Sequence, residues 1–492
     1  MRQLTGIDSL EELDFTDDRL EAVLRYLNKD DNWKQYEQSQ GKQLIRVDDL
    51  NQEVVRLDAS SGSTFQTENS QGLLRKGVSK DHRPDLAQFK FMLSLLDPLG
   101  LPLATQVVPG NEADDPLYIP AIEQVRATLK HLNVLYVGDC KMAALKTRAF
   151  IQNGSDYYLT PLPKTIVPLV VLNDYLLSFY QLPEIEQQSK LEQVYKEDKK
   201  GNKHLIAKGF EQQISTELEG KTIIWNERQL IVYSVSHAKA QETNLDKRLS
   251  KALKQLTHRK RGKKAILTLI ELEKMAKEVI KQHHVEKFLS VKCQKFTSKR
   301  TVRGYAGKAA HVERKSHLEI EVIQNEQALE AELWCFGWRV YGTSAPDEHF
   351  SLEKLVHVYR DQYIAERGID RLKGQPLSLN PLYLQREDHM TGLVRLLTIA
   401  LCALTLIEFK VREELKMAGE PLKGLYPGNP NRETQNPSVE LLLRAFRDIS
   451  QIYIPKKLSV LIPITPLQQR ILKLLGFSDS IYTPFDSIVP TG

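Results

Sequence analysis

The chain of 492 residues has few cysteines and lacks several common signature motifs. Its four cysteines, Cys140, Cys293, Cys335 and Cys402, are scattered and form no CxxC pair. This spacing argues against a disulfide framework or a cysteine zinc site and is typical of a protein from a reducing cytoplasm. No GxxxxGK[ST] loop is present, so the sequence does not indicate ATP as a substrate. No internal repeat is visible.

Long apolar runs are also missing. The N-terminal residues MRQLTGIDSLEELDF are acidic and lack the apolar core of a signal peptide. The longest apolar segment, residues 396–407, is shorter than the roughly 20 residues of a membrane helix. It predicts a buried helix, and we expect no membrane partner. The composition, 41% hydrophobic and 27% charged, is that of a globular protein, and the length predicts two or three domains.

Positive charge is concentrated in one part of the sequence. Residues 238–316 contain 22 Lys and Arg against 7 Asp and Glu, whereas the whole chain has a net charge of only +5. A basic block of this size can neutralise phosphates and release counterions, which favours nucleic-acid binding. Its densest part, HRKRGKK, includes Lys260 and Arg261, which we expect to contact DNA. A solvated lysine-rich helix face is the alternative interpretation.

The segment YRDQYIAERGIDRLK has a regular spacing of functional side chains. Tyr359, Glu366 and Lys373 follow one another at intervals of seven residues. At about 100° per residue, seven residues nearly complete two helical turns, so these side chains are predicted to share one helix face with Gln362. An acid between a phenol and an ammonium suits a site for a metal ion and a phosphate. An ordinary amphipathic surface helix would show the same spacing.

Two further acids close short apolar runs that are typical of buried strands. Asp58 closes the run EVVRLDAS, and Asp139 closes NVLYVGDC. Carboxylates at strand ends can meet in a shallow site above a sheet. Three carboxylates bind hard divalent cations such as Mg²⁺ and leave coordination positions open for phosphates. Asp58, Asp139 and Glu366 are therefore the candidate metal ligands.

The order of predicted elements supports an α/β fold. A helix in residues 15–40 is followed by a strand at 53–57, a hairpin of residues 89–96 and 101–108 around the turn DPLG, and a helix at 119–132. A strand at 133–138, a helix at 141–153 and a strand at 156–159 follow. With an acid on each of the two strands, this is the order of a ribonuclease-H-like fold. A basic region of mixed helices and strands then precedes the helix of Glu366.

Together these motifs resemble the DDE-type transposases of bacterial insertion sequences, in the group whose catalytic domain holds a β-rich insertion. The group has a helix motif of Tyr, two residues, Arg, three residues, Glu, six residues, Lys, and Tyr359, Glu366 and Lys373 match it in register. The segments GVSKDHRPDLAQ and GDCKMAA also resemble stretches that recur in the group. The resemblance covers about residues 50–410.

The resemblance implies a ribonuclease-H-like core interrupted by an insertion, with helical N- and C-terminal segments. We expect a helical segment at 1–48 and core residues at 49–204 and 346–410. The basic insertion is expected at 205–345, and a helical segment at 411–492.

The resemblance also implies a reaction. Asp58, Asp139 and Glu366 would hold two Mg²⁺ or Mn²⁺ ions for hydrolysis at the ends of a mobile element and for strand transfer into target DNA. The expected partners are the terminal inverted repeats, the target DNA and a second copy of the chain, in the bacterial cytoplasm. Tyr359 and Lys373 resemble residues that hold a phosphate near the cleaved end.

Trp338, placed 28 residues before Glu366, resembles a tryptophan that can stack on an extruded base. A core position in a β-sheet is the alternative for Trp338, and the neighbouring Trp334 complicates the assignment.

The sequence departs from the group at two places. Gln362 occupies the position of the motif's Arg, and Arg360 lies about 200° away on an ideal helix, so we do not expect it to substitute. The region before Asp58 is shorter than in relatives. These departures favour a second hypothesis, a truncated or domesticated transposase that binds DNA or dimerises without cutting. A general nuclease with the same three acids is a third.

Overall fold

A single large sheet dominates the computed structural model, which describes residues 16–129, 131–198, 201–218, 223–257, 268–302, 311–449, 451–452, 460–461 and 464–478. The sheet has nine strands: β1 (Val54–Thr64), β2 (Ala87–Leu96), β3 (Leu101–Pro109), β4 (Leu135–Val137), β5 (Tyr157–Pro161), β6 (Glu192–Glu197), β7 (Lys203–Leu218), β8 (Ile223–Tyr233) and β11 (Trp338–Thr343). A separate hairpin contains β9 (Leu289–Val302) and β10 (His311–Gln324). Two short ladders pair β12 (Leu422–Lys423) with β13 (Glu433–Thr434) and β14 (Gln451–Ile452) with β15 (Val460–Leu461).

The strand order of the sheet is β3-β2-β1-β4-β5-β11-β8-β7-β6. β1, β2 and β3 pair antiparallel, whereas β1, β4 and β5 run parallel. The parallel strands need crossover connections, and helices provide them. The first five strands thus have the arrangement predicted from the sequence, an α/β ribonuclease-H-like core, and the DPLG turn does close the hairpin of β2 and β3.

Helices cover both faces of this sheet and form the terminal segments. They are α1 (Asp17–Asn28), α2 (Asp30–Val47), α3 (Tyr118–Leu129), α4 (Leu145–Asn153), α5 (Leu169–Tyr180), α6 (Glu184–Lys190), α7 (Val235–Thr257), α8 (Leu269–Gln282), α9 (Glu326–Trp334), α10 (Leu352–Arg360), α11 (Tyr363–Lys373), α12 (Glu387–Ala418), α13 (Val439–Arg444) and α14 (Pro466–Leu474). One face of β1 packs on α3, and the other face of the sheet packs on α10, α11 and α12. This second face carries the acids described below.

The first strand is longer than the sequence predicts. We expected a strand that ends at Asp58, but β1 continues to Thr64 and pairs with β2 throughout. The continuation, ASSGST, is polar and looks like a loop. Its hydroxyl and amide groups are satisfied in the interior, for example by the hydrogen bond from Thr64 Oγ1 to Leu382 O at 2.9 Å. Asp58 therefore lies within the strand.

The predicted insertion is divided between two structures. β7, β8 and β11 extend the central sheet, because β11 pairs with both β5 and β8. In contrast, α7, α8, α9 and the hairpin of β9 and β10 pack around a small core of their own. The predicted boundaries at 204–205 and 410–411 fall inside β7 and α12. Lys260 and Arg261 lie outside the described residues.

The apolar segment 396–407 belongs to α12, a helix of 32 residues. Among the described residues this is the one helix whose length and composition would allow it to cross a membrane, and half of its most apolar stretch is buried inside the protein. Two charged residues of the helix are also buried and paired. Arg395 donates to Leu27 O at 2.7 Å, and Glu408 accepts from Val439 N at 3.0 Å. These contacts are those of a core helix.

A buried acid at the N-terminal helices gives a prediction about pH. Glu37 of α2 is buried, and its Oε1 has no hydrogen-bond partner among the described residues. Burial raises the pKa of this carboxyl well above its ordinary value, although the charge of Arg395 opposes the shift. The folded protein therefore binds the proton more tightly than the unfolded chain does. The free energy of unfolding then falls as the pH rises above the unfolded-state pKa of about 4.3.

We expect Glu37→Gln to remove this pH dependence and to raise the free energy of unfolding by about 1 kcal/mol near neutral pH. Urea unfolding at several pH values between about 4 and 8 measures the effect, and the gain should shrink toward the acidic end. Glu123→Gln, at an exposed position of α3, is the control and should change stability little at any pH. A gain for Glu37→Gln that is constant across the range would contradict the explanation.

Candidate active site

The first acid lies beneath the helix that carries the third. Asp58 stands opposite Leu93 in the antiparallel pair of β1 and β2. Directly opposite residues of such a pair point to the same side of the sheet. Leu93 packs against Ala365 and Ile369 of α11, so Asp58 faces α11 as well.

The second acid lies at the end of the neighbouring strand. Asp139 follows β4 by two residues, and Val137 of β4 is aligned with Arg56 of β1 in the parallel pair. The Asp139 carboxylate accepts hydrogen bonds from Tyr118 Oη at 2.7 Å and from Lys141 N at 2.8 Å. These two donors fix the orientation of the side chain at the edge of the site.

The third acid is on a shorter helix than the sequence predicts. We expected one helix through Tyr359, Glu366 and Lys373, but α10 ends at Arg360 and α11 begins at Tyr363. The argument from one helix face is therefore wrong for Tyr359. The break nevertheless leaves Tyr359, Gln362 and Glu366 on the wall of one cleft of about 510 Å³ between α10, β8 and β11.

The charges of the three acids act on one another. Burial raises the pKa of Asp58 to about 6, and the negative charges of Asp139 and Glu366 shift it in the same direction, whereas the ammonium of Lys80 opposes them. Lys80 Nζ donates to Ala59 O and lies 3.3 Å from Asp114 Oδ2. Asp58 is thus a half-buried carboxylate that feels the charges of two others, and a cation would be stabilised in this environment.

The donor chemistry of this site fits a hard divalent cation, because all three candidate ligands offer carboxylate oxygens. No three His, Cys, Asp or Glu side chains in the described part of the chain are gathered closely enough to hold a metal ion as they stand. Glu366 is exposed, so its side chain can rotate at little cost.

Lys373 reaches the same part of the sheet from the end of α11. Its Nζ donates to Ser60 Oγ at 3.2 Å and forms an ion pair with Asp81. Asp81 also accepts a hydrogen bond from Asn380 Nδ2 at 2.9 Å. The ion pair between Lys373 and Asp81 was not expected from the sequence. The only signal for it was the position of Asp81 inside the segment GVSKDHRPDLAQ.

A charge-removing substitution tests whether Lys373 contacts DNA. We expect Lys373→Met to weaken binding to duplex DNA and to reduce the slope of log affinity against log salt by about 0.9, the value for one lost phosphate contact. Titrations at several salt concentrations measure the slope. Lys423→Met is the matched control, since Lys423 is 66% exposed and forms an ion pair with Glu433 in the C-terminal part. Equal slopes for both variants would show that Lys373 does not contact a phosphate.

The cleft beside Glu366 contains aromatic and cationic groups. The ring of Tyr359 lies 4.6 Å from that of Tyr341, and burial raises the pKa of the Tyr359 hydroxyl. Gln362 Oε1 is buried and has no hydrogen-bond partner among the described residues. Arg360 lines this cleft too, and its Nη2 donates to Ser234 Oγ at 3.1 Å. We expected Arg360 to face away, but the break between the two helices removes the angle of 200° that an unbroken helix would impose.

The two tryptophans lie in different environments. Trp338, a predicted DNA contact, is only 7% exposed and packs against Phe210 and Tyr233 at ring distances of 6.0 and 5.3 Å. The structure therefore favours the core alternative for Trp338. Trp334, at the end of α9, is 43% exposed.

Comparison with protein families decides the class of the chain. The family model of the transposase DDE domain matches residues 88–403, well over half of the sequence. The chain belongs to this family of transposases. The matched part of the transposase contains Asp139, Glu366 and Lys373, whereas Asp58 precedes it. A search among curated proteins finds no match.

Proposed function

We propose that the protein is a DNA transposase that cleaves the ends of a mobile element and joins them to target DNA with Asp58, Asp139 and Glu366 as its catalytic acids. The observation that carries the proposal is the position of Asp58, which faces the helix of Glu366 and lies on the strand next to the one that Asp139 follows. The charges of both other acids also raise the pKa of Asp58. Family membership supports the class of reaction.

Each acid has a distinct position for this task. Asp58 is held within a rigid strand, Asp139 is oriented by Tyr118 and Lys141, and Glu366 is exposed at the start of α11. The three carboxylates would hold two Mg²⁺ or Mn²⁺ ions, which when bound activate the attacking oxygen and stabilise the leaving oxygen of a phosphodiester. Lys373 and Tyr359 would position the strand, since Lys373 lies next to Ser60 on the same strand as Asp58. No covalent bond to the protein is required.

DNA would bind across this face and along the basic insertion. The region of residues 238–316 contributes α7, α8 and the hairpin of β9 and β10, which form a separate core beside the sheet. Because paired cleavage of two ends needs two active sites, we propose a homodimer on DNA that acts in the bacterial cytoplasm.

Two observations favour the inactive alternative, a protein that binds DNA without cutting. The acids are not gathered into a metal-binding group in the described residues. Lys80, whose charge lowers the pKa of Asp58, also stabilises that carboxylate without a metal.

Cleavage of DNA that carries the element's ends tests the proposal. The protein is incubated with such DNA and Mn²⁺, and nicks are mapped at the junctions. Nicks at the junctions that disappear in Asp139→Ala support a transposase. Binding without nicks, with Asp139→Ala equal to the wild type, supports the inactive alternative. Equal cleavage of competitor DNA that lacks the ends would instead indicate a general nuclease.

A further inference from the structure

A second cavity lies on another flank of α11, away from the cleft of Glu366. Its volume is about 500 Å³, and its walls come from α11, from the turn between β2 and β3, from α12 and from residues 435–436. We call it the arginine cavity, after its residues Arg367, Arg371 and Arg412. The sequence motifs gave no reason to expect a site here.

The three arginines converge on a single carboxylate. Arg367 and Arg371 form ion pairs with Glu408, and Arg412 Nη1 lies 2.7 Å from Glu408 Oε1. Arg371 has a further partner, since its Nε lies 2.7 Å from Glu440 Oε1. Lys416 adds a fourth cation to the wall, and Glu413 adds one acid. Cations therefore outnumber the acids that face them.

The excess charge acts on the arginines themselves. Burial lowers the pKa of Arg367 to about 10, and the neighbouring charges of Arg371 and Arg412 shift it in the same direction. The side chains of Arg367 and Arg412 are nevertheless 36% and 31% exposed, and both residues line the cavity. Gln435 and Asn436 place amide groups on the same wall.

These features match the chemistry of an oxyanion. Guanidinium groups bind phosphate through two parallel N–H donors, and the surplus of positive charge on the cavity wall strengthens that contact. We propose that the arginine cavity binds a phosphate group, supplied either by a DNA strand or by a free phosphate compound. The site does not include Asp58, Asp139 or Glu366, so it is independent of the proposed cleavage reaction.

Thermal unfolding in EDTA tests the site with inorganic phosphate as the probe. We expect phosphate to raise the Tm of the full chain more than chloride does at equal ionic strength. Arg412→Gln should weaken the phosphate affinity about tenfold, because a charge-assisted contact is lost. Lys416→Gln, at an exposed position, should also weaken the phosphate affinity. It is the test variant if Arg412→Gln does not fold. Lys423→Gln removes an equal charge outside the cavity and should leave the phosphate affinity unchanged.

Titration of the same variants with duplex DNA in EDTA distinguishes the two sources. Weaker DNA binding in Arg412→Gln and Lys416→Gln, but not in Lys423→Gln, identifies a strand phosphate. Loss of phosphate protection with unchanged DNA affinity identifies a free phosphate compound. If phosphate protects no better than chloride and neither cavity variant alters DNA affinity, the proposal is overturned. Both assays are run in EDTA and measure binding alone, so their outcome is separate from that of the cleavage proposal.

Discussion

Replacement of Asp139 by Asn is expected to reduce the rate of DNA cleavage by a factor of about one thousand or more. A metal ion stabilises a phosphoryl-transfer transition state by several kcal/mol, and each 1.36 kcal/mol corresponds to about tenfold in rate. Asn retains a side-chain oxygen that can accept from Tyr118 and Lys141 N, so the local structure should persist. The lost property is the negative charge. Asp58→Asn and Glu366→Gln are expected to have similar effects on the rate.

Initial rates on DNA with the element's ends, in Mg²⁺ and in Mn²⁺, measure the loss. Asp115→Asn provides the control, because Asp115 is a half-exposed acid that is not a candidate metal ligand. Its Oδ1 lies 3.8 Å from Lys141 Nζ. Asp115→Asn should retain a cleavage rate within a few-fold of the wild type. The Tm values of Asp139→Asn and Asp115→Asn should both match that of the wild type. If Asp139→Asn kept about a tenth of the activity or more, Asp139 would not be a metal ligand.

Replacement of Glu408 by Gln is expected to lower the free energy of unfolding by about 3–5 kcal/mol. Glu408 is only 4% exposed and is the shared partner of Arg367, Arg371 and Arg412. Without its charge, three guanidinium groups would repel one another at the junction of α11 and α12. Because α11 carries Glu366, we also expect the position of that acid to be perturbed.

Thermal and urea unfolding of Glu408→Gln measure the effect on stability. The matched control is Glu433→Gln, which breaks an ion pair with Lys423 whose side chains are 66% and 44% exposed. An exposed pair of this kind contributes less than about 1 kcal/mol. Equal losses for the two variants would show that the buried cluster does not stabilise the junction.

The elements that the sequence predicts well are those formed by neighbouring residues. The DPLG turn and the two apolar runs beside it predict the hairpin of β2 and β3, because turn residues and strand periodicity are local signals. The short strands that precede Asp139 and follow α4 were also predicted from their apolar runs. The order of these elements was enough to indicate the ribonuclease-H-like core.

The features that sequence reasoning missed depend on distant contacts. The polar end of β1 is a strand because β2 and Leu382 satisfy its backbone and hydroxyl groups. Asp81 and Lys373 are 292 residues apart, so no local pattern reports their ion pair. The break after Arg360 has no proline or glycine to mark it, and the seven-residue spacing therefore suggested one continuous helix. The joining of β8 to the core through β11 likewise depends on pairing across the chain.

The position of β11 has a consequence for synthesis of the protein. This strand is the only link in the described sheet between β5 and β8, yet it is made after the entire insertion. A ribosome that stops before residue 338 would release a chain in which β5 and β8 each have an unpaired edge, and exposed strand edges promote aggregation. Glu366 is translated only after that link. A chain that ends before β11 therefore lacks both the complete sheet and the third acid.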